Sequence, residues 1–194
     1  MYNKREIYTG GQNNGFKNKT TNSTDGYRKD YSIRNYDVRR ICCLDFLLTR
    51  YIQVQIIPAK GGLVHLGNVP MFFAAAFFGK RVGAICGGVG MALSDVLSPW
   101  IVYAPATLIV VGLMGFVFGL IVKKKPTIVA TVVVLAIKLV GYYLFEVLLT
   151  SSFVVPLASI PGNIMQIVTG AIIAIPIILV SRVGMAKVKR SMEA

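Results

Sequence analysis

Three long apolar segments dominate this 194-residue chain and limit what it can fold into. They span residues 100–122, 127–149 and 156–180, and together they contain only two charged side chains. A helix needs about 20 apolar residues to cross the hydrocarbon core of a bilayer. The chain as a whole is 55% apolar and 15% charged, which is typical of membrane proteins. These segments therefore predict transmembrane helices.

Three weaker candidates precede them, at residues 41–57, 66–78 and 82–97. The first carries Asp45 and Arg50, and the second is short and follows a turn-prone Pro-Ala-Lys-Gly-Gly stretch at 58–62. Counting all six segments, we predict an all-α fold, an integral membrane bundle of six transmembrane helices.

Basic residues predict the orientation of this bundle. Nine Lys or Arg residues lie in 1–40, and further basic residues lie at 80–81, at 123–125 and after residue 181. With six spans all four regions fall on one side, whereas the opposite loops contain only Lys60. By the positive-inside rule both termini are cytoplasmic, as in a multi-pass protein of a bacterial plasma membrane. The predicted parts are a polar basic N-terminal tail (1–40), disordered or atypical, a six-helix transmembrane domain (41–182) and a basic cytoplasmic C-terminal tail (183–194).

Other functional classes fit the sequence poorly. The net charge of +13 would suit nucleic-acid binding, but the basic residues separate apolar segments instead of lining one face, so we expect no nucleic-acid partner. Gly79-Lys80 lacks the remaining residues of a phosphate loop. The single histidine and the three cysteines, Cys42, Cys43 and Cys86, show no metal-ligand spacing, so the cysteines are interpreted as small apolar residues. We therefore expect no enzymatic activity, no metal and no cofactor.

Two glycine pairs four residues apart, at 83 and 87 and at 115 and 119, are typical of closely packed membrane helices, although glycine is common enough in such helices for the spacing to arise by chance.

In the predicted orientation, nearly every polar residue inside a span lies in its outer half. Lys138, Tyr142 and Glu146 are spaced i, i+4, i+8, so they form one stripe on the fifth span. A lysine near the bilayer centre costs about 2.5–3.5 kcal/mol and should have a partner, for which Asp95 and Glu146 are candidates. These residues predict an outward-open pocket for a small, polar, ring-containing ligand. The candidate binding residues are His65, Asn68, Asp95, Trp100, Tyr103, Lys138, Tyr142, Glu146, Asn163 and Gln166.

A purely structural interpretation stays open at this stage. Lys138 and an acidic residue could simply hold two helices together, and Trp100 and Tyr103 could belong to the aromatic belt at the membrane interface.

Several motifs occur in an order that resembles one family. The chain is similar to the substrate-binding S components of energy-coupling factor (ECF) transporters, in particular to the riboflavin-type group. The similarity covers about residues 52–180. It is carried by Pro58–Asn68, Ser94-Asp95, Trp100–Thr107, Gly141–Glu146 and Pro161–Gln166.

The resemblance implies a six-helix protein that captures a vitamin or vitamin precursor from outside. It also implies a transmembrane coupling subunit as partner, together with two cytoplasmic ATPase subunits that power release inside the cell. The ligand stays open among riboflavin, pyridoxine-like compounds, a thiamine-type pyrimidine and a modified nucleobase. Two other functions also stay open: a self-contained secondary transporter, although no inverted repeat is visible, and a non-transporting membrane scaffold.

The start of the chain departs from the family. Family members usually begin with an alanine-rich first helix that contacts the coupling subunit, whereas residues 41–55 contain no alanine. Residues 1–48 look unlike a family start, which puts docking to the coupling subunit in doubt, though ligand binding need not be.

Overall fold

The computed structural model describes residues 38–57 and 62–193 of the chain. Most of the predicted N-terminal tail and the turn-prone residues 58–61 lie outside the described residues. The described part consists of six helices, one β-hairpin and two short 3₁₀ turns. In chain order the elements are helix α1 (38–51), strands β1 (Gln53–Ile57) and β2 (Gly62–His65), α2 (Asn68–Phe77), α3 (Lys80–Val96), a turn at Ile101–Tyr103, α4 (Ala104–Ile121), α5 (Thr127–Thr150), a turn at Val155–Ser159 and α6 (Ile160–Glu193).

The first predicted span is wrong over its last five residues. Residues 53–57 form β1, which pairs antiparallel with β2 so that Gln53 lies opposite His65. Polar and β-branched residues alternate in Gln-Val-Gln-Ile, a pattern that favours a strand. The residue before a proline also avoids helical geometry, and Pro58 follows directly. The helix α1 therefore ends near residue 51.

Contacts between helices define two ends of the bundle. Along α1, Cys42 lies against Cys86 and Asp45 lies against Gly90, so α1 runs parallel to α3. We call the end that carries the β-hairpin and the connections at 97–103 and 151–159 the hairpin end. The opposite end, with Lys80 and residues 123–125, is the lysine end.

Helix α6 reaches the lysine end, because the Arg182 guanidinium donates to the backbone oxygen of Val122. Successive helices alternate in direction, so residue 38 and residue 182 lie at the same end of the bundle. An even number of membrane crossings would likewise place the two ends of the bundle domain on the same side of the membrane. The helix continues to Glu193, beyond the predicted domain boundary at residue 182.

The predicted close packing of α3 and α4 is confirmed. A Cβ atom on Gly83 would lie 3.0 Å from the Gly115 backbone oxygen, and one on Gly119 would lie 2.6 Å from the Lys80 Cα. Glycines at these positions let the two backbones touch. Gly79, between α2 and α3, has φ +95°, a conformation that favours glycine at this tight turn.

Three helical segments are long and apolar enough to cross a membrane: Ile101–Ile121, Thr127–Thr150 and Val155–Gly184. Their outward faces carry apolar side chains, such as Leu148 at 82% exposure and Val180 at 72%, as expected for lipid contact. The ten residues of α2 rise only about 15 Å, half of a hydrocarbon core. At the hairpin end, strand β2 packs against α6. Six crossings and the orientation remain predictions.

Candidate functional site

A cavity opens at the hairpin end of the bundle. Its empty space, including the open mouth, is about 540 Å³. Nine of the ten residues predicted from the sequence line it, contributed by the hairpin, α3, the 100–103 turn, α5 and α6. The lining consists of His65, Asp95, Trp100, Tyr103, Thr107, Lys138, Tyr142, Glu146, Asn163 and Gln166.

Among the charged residues that line the cavity, Lys138 is the least exposed, with 2% of its surface accessible. Its ammonium donates to the side-chain oxygen of Gln166 on α6 and lies 5.1 Å from the centre of the Tyr142 ring. The predicted partner Asp95 acts on the ammonium electrostatically, whereas its Oδ2 accepts a hydrogen bond from Thr107. This hydrogen bond uses one of the three ammonium N–H donors and links α5 to α6.

Three side chains form a directed hydrogen-bond chain across α3, α4 and α5. The Thr107 hydroxyl donates to Asp95 Oδ2 at 2.5 Å and lies 2.9 Å from the Tyr142 hydroxyl. Threonine has one hydroxyl hydrogen, so the Tyr142 hydroxyl must be the donor to Thr107. The Tyr142 oxygen and the second oxygen of Asp95 are therefore left as acceptors.

His65 presents a donor to the cavity. The backbone N–H of Gly67 donates to His65 Nδ1 at 3.2 Å, so the proton of the neutral ring resides on Nε2. Burial, and to a lesser extent the Lys138 ammonium, lower the pKa of His65 to about 3. The ring therefore stays neutral at physiological pH.

Aromatic rings form one wall of the cavity. Trp100 and Tyr103, on either side of a single turn before α4, meet edge to face with ring centroids 5.8 Å apart. Tyr103 in turn lies 5.6 Å from the Phe145 ring on α5. Both Trp100 and Tyr103 line the cavity, so this geometry favours a pocket role over a belt role for them.

Comparison with known proteins decides which class of membrane protein this is. Residues 41–182 match the family described as "ECF-type riboflavin transporter, S component". The chain belongs to this family. The match covers well over half of the sequence and includes every residue that lines the cavity.

Two individual proteins are also similar to this S component. It is 29% identical over 131 residues to the thiamine precursor transporter HmpT of Lactococcus lactis subsp. cremoris (strain MG1363), which covers 68% of this chain and 76% of HmpT. It is 37% identical over 65 residues to the "Uncharacterized protein in gap 3'region" of Pyrococcus woesei, which covers 32% of this chain and 42% of that protein. The second similarity thus spans less than half of the relative's length.

The family match corrects the expectation about the start of the S component. It begins at residue 41, so it takes in most of α1 instead of starting near residue 52. Helix α1 has no alanine, but a glycine on the neighbouring helix α3 allows the two helices to approach closely. A Cβ on Gly90 of α3 would lie 2.9 Å from the Asp45 Cβ. The bulky side chains of α1 are therefore accommodated by a glycine on the facing helix.

Asn68 is the one predicted residue that does not line the cavity. It is wholly buried at the start of α2, where its side-chain amide donates to the Gln166 backbone oxygen at 3.3 Å. Asn68 therefore links α2 to α6 next to the residue that holds Lys138. Its depth and direction could not be predicted from the sequence, because residues 53–57, the first strand of the preceding hairpin, were assigned to a helix.

Thr107 is the lining residue that sequence reasoning missed. It is four residues after Tyr103, so the two share a face of the chain at the start of α4. That spacing was the available signal, but a lone threonine in an apolar helix commonly bonds its own backbone.

Proposed function

We propose that this S component captures a water-soluble vitamin or vitamin precursor in the cavity at the hairpin end. In this proposal the hairpin end faces outward, and uptake through the bacterial plasma membrane is powered by a transmembrane coupling subunit and two cytoplasmic ATPase subunits. The observation that carries the proposal is the convergence of ten polar or aromatic side chains on one cavity in an otherwise apolar bundle. Polar groups at this depth are costly, which makes a functional reason for them the default hypothesis.

The chemistry of the cavity supports a ring-containing ligand. Trp100 and Tyr103 offer aromatic surface, and the remaining lining residues offer hydrogen-bond donors and acceptors that can fix the orientation of a heterocycle. The family description refers to riboflavin and the HmpT description to a thiamine precursor. Both are compounds with heteroaromatic rings, which agrees with this chemistry.

Membership of the family supports the proposed partners. The sequence contains no complete nucleotide-binding motif, so energy for uptake would have to come from other subunits. Reconstitution with the coupling subunit and the ATPases tests this part: uptake should require all of them together with ATP.

Ligand binding is tested by thermal unfolding of the purified chain in detergent, with a panel of B-vitamins and their precursors. A ligand at about 100 times its dissociation constant should add about 2.7 kcal/mol of stability. We expect a clear rise in the midpoint for one chemical class. If a well-folded sample shows no rise with any compound, the capture proposal is wrong and the scaffold interpretation gains support.

A further inference from the structure

Two of the three cysteines lie in contact between α1 and α3. The Cys42 thiol donates to the Cys86 sulfur at 3.0 Å, although the two residues are 44 positions apart in the chain. Both are free thiols in this structure. The sulfurs of a disulfide are about 2.05 Å apart, so an approach of about 1 Å would bring these two sulfurs to bonding distance.

The three cysteines differ in how easily a reagent reaches them. Cys86 is buried, Cys42 is partly exposed and Cys43 is exposed. Successive residues of a helix lie about 100° apart around its axis, so Cys42 and Cys43 face different directions. A small reagent can therefore reach Cys42 directly, and Cys86 can then react with Cys42.

Helix α1 lies outside the main hydrophobic core. That core consists of buried side chains from α2 to α6, and in the described part of the chain it includes no side chain of α1. Instead, Val38, Ile41 and Cys42 pack against a separate small cluster that contains Cys86. The two cysteines thus lie at the contact that joins α1 to the rest of the bundle.

A buried carboxylate weakens this contact. Asp45 is wholly buried against Gly90, and neither of its side-chain oxygens has a hydrogen-bond partner among the described residues. A buried polar group without a partner costs free energy, which is regained when water reaches it. Separation of α1 from α3 would hydrate Asp45, so a covalent bond between these helices would change the stability of α1 strongly.

From these observations we propose that Cys42 and Cys86 form a redox modification site, whose reversible disulfide fastens α1 to α3. The co-reactant is a low-molecular-weight disulfide. The Cys42 thiolate attacks one of its sulfurs, which gives a mixed disulfide and releases one small thiol. Cys86 then attacks the Cys42 sulfur and releases the second. The two electrons and two protons lost by the cysteines are recovered in the two small thiols.

The location of the pair suits a reversible modification. Both cysteines lie in the half of the bundle nearer the lysine end, which the basic residues predict to be cytoplasmic. Disulfides in that compartment are mostly transient or redox-sensing, because its thiol pools reduce them. Neither cysteine lines the cavity, so the modification is independent of ligand capture.

The first test treats the purified native chain with oxidised β-mercaptoethanol, then denatures it and labels its remaining thiols with a maleimide. Mass spectrometry should find one maleimide per chain instead of three, and a linked pair of peptides containing Cys42 and Cys86. Dithiothreitol should restore all three thiols. Retention of three thiols after oxidation, or a disulfide that involves Cys43, would overturn the proposal.

Two variants assign the chemistry to the pair. Cys43→Ser is the matched control and should form the disulfide as the native chain does, because Cys43 lies outside the contact. Cys86→Ser should stop at the mixed disulfide between Cys42 and β-mercaptoethanol, since no second thiol is in contact with Cys42. A disulfide within the chain of Cys86→Ser would overturn the assignment.

Hydrogen exchange tests whether the disulfide fastens α1. In the oxidised native chain we expect the amides of residues 41–51 to exchange at least about tenfold more slowly than in the reduced chain, because local separation of α1 is restricted. The amides of Thr127–Thr150 in α5 serve as the internal reference and should not change. Equal exchange of α1 in both forms would overturn its fastening. None of these measurements uses a ligand, so their outcome is separate from that of the proposed function.

Discussion

At the scale of single residues, Lys138 is the side chain whose burial in a membrane helix has a free-energy cost that most needs an explanation. A lysine inside a membrane helix costs about 2.5–3.5 kcal/mol on insertion scales, and replacing a buried polar contact by an apolar group of the same shape is often neutral. One hydrogen bond to Gln166 and a ring contact to Tyr142 do not by themselves explain why a lysine stands there. Ligand binding supplies the missing reason.

Lys138→Met should separate stability from binding. We expect the unfolding midpoint to change little, because removal of the buried charge offsets the loss of its hydrogen bond to Gln166, while ligand affinity falls at least about tenfold through loss of a charged donor. Thermal unfolding and isothermal titration measure the two effects. Lys124→Met, at an exposed position of the lysine end, is the control and should leave both unchanged. A variant that loses stability but keeps native affinity would show that Lys138 is only structural.

His65 gives the fold a pH dependence. Its pKa is about 3 in the folded chain and about 6.5 when unfolded, so protonation favours unfolding. Its contribution is fully present above pH 6.5 and is lost progressively as the pH falls toward 3. We expect the unfolding midpoint to drop between pH 7.5 and 5, and to drop less in His65→Gln. Parallel pH profiles for the two proteins would contradict this assignment.

Residue types predicted the site better than they predicted its contacts. Lys138, Tyr142 and Glu146 were found because helical spacing puts them on one face of the fifth span, and Asn163 and Gln166 because they share a face of the sixth span in its outer half. The hydrogen bond from Lys138 to Gln166 was not predicted, because the choice between Gln166 and Asp95 as its acceptor depends on helix rotation. An apolar helix has no polar face from which that rotation could be predicted.

At the scale of elements, the long apolar helices were predictable and the hairpin was not. Apolar segments of more than 20 residues have one structural solution in a bilayer, whereas residues 53–57 satisfy the composition of both a helix and a strand. Strand β1 is stabilised by its antiparallel pairing with β2, in which His65 lies opposite Gln53. That pairing crosses a turn-prone segment, which the sequence showed only as a break between spans.

The α3–α4 contact should tolerate added volume at one glycine and not at another. A Cβ on Gly115 would lie 2.5 Å from the Gly83 carbonyl carbon, whereas one on Gly112 would have its nearest neighbour, the Ala84 oxygen, at 3.6 Å. We therefore expect Gly115→Ala to cost about 1–3 kcal/mol, as overpacking does, and Gly112→Ala to be nearly neutral. Thermal unfolding of the two variants measures the difference. Equal midpoints would contradict the packing described for these helices.

At the scale of the whole molecule, alternating helix directions place residue 38 and residue 182 at one end of the bundle, next to the basic turns. The positive-inside rule then predicts that the lysine end is cytoplasmic and that the cavity opens outward.

Cysteine accessibility tests this orientation. In a background without Cys42, Cys43 and Cys86, Phe153→Cys at the hairpin end should react with a membrane-impermeant maleimide on intact cells. Lys124→Cys at the lysine end should react only after the membrane is permeabilised. The reverse pattern would mean that the cavity faces the cytoplasm and would exclude capture from outside.

The most direct test of ligand capture at this site uses the single tryptophan of the chain. Trp100 lines the cavity, and no other tryptophan contributes to the emission. Titration of the purified chain with the compound that raises its unfolding midpoint should produce a saturable change in tryptophan emission. Trp100→Phe should abolish that change. A compound that stabilises the chain but leaves the emission of Trp100 unaltered would bind elsewhere, and would contradict the assignment of the cavity as the ligand site.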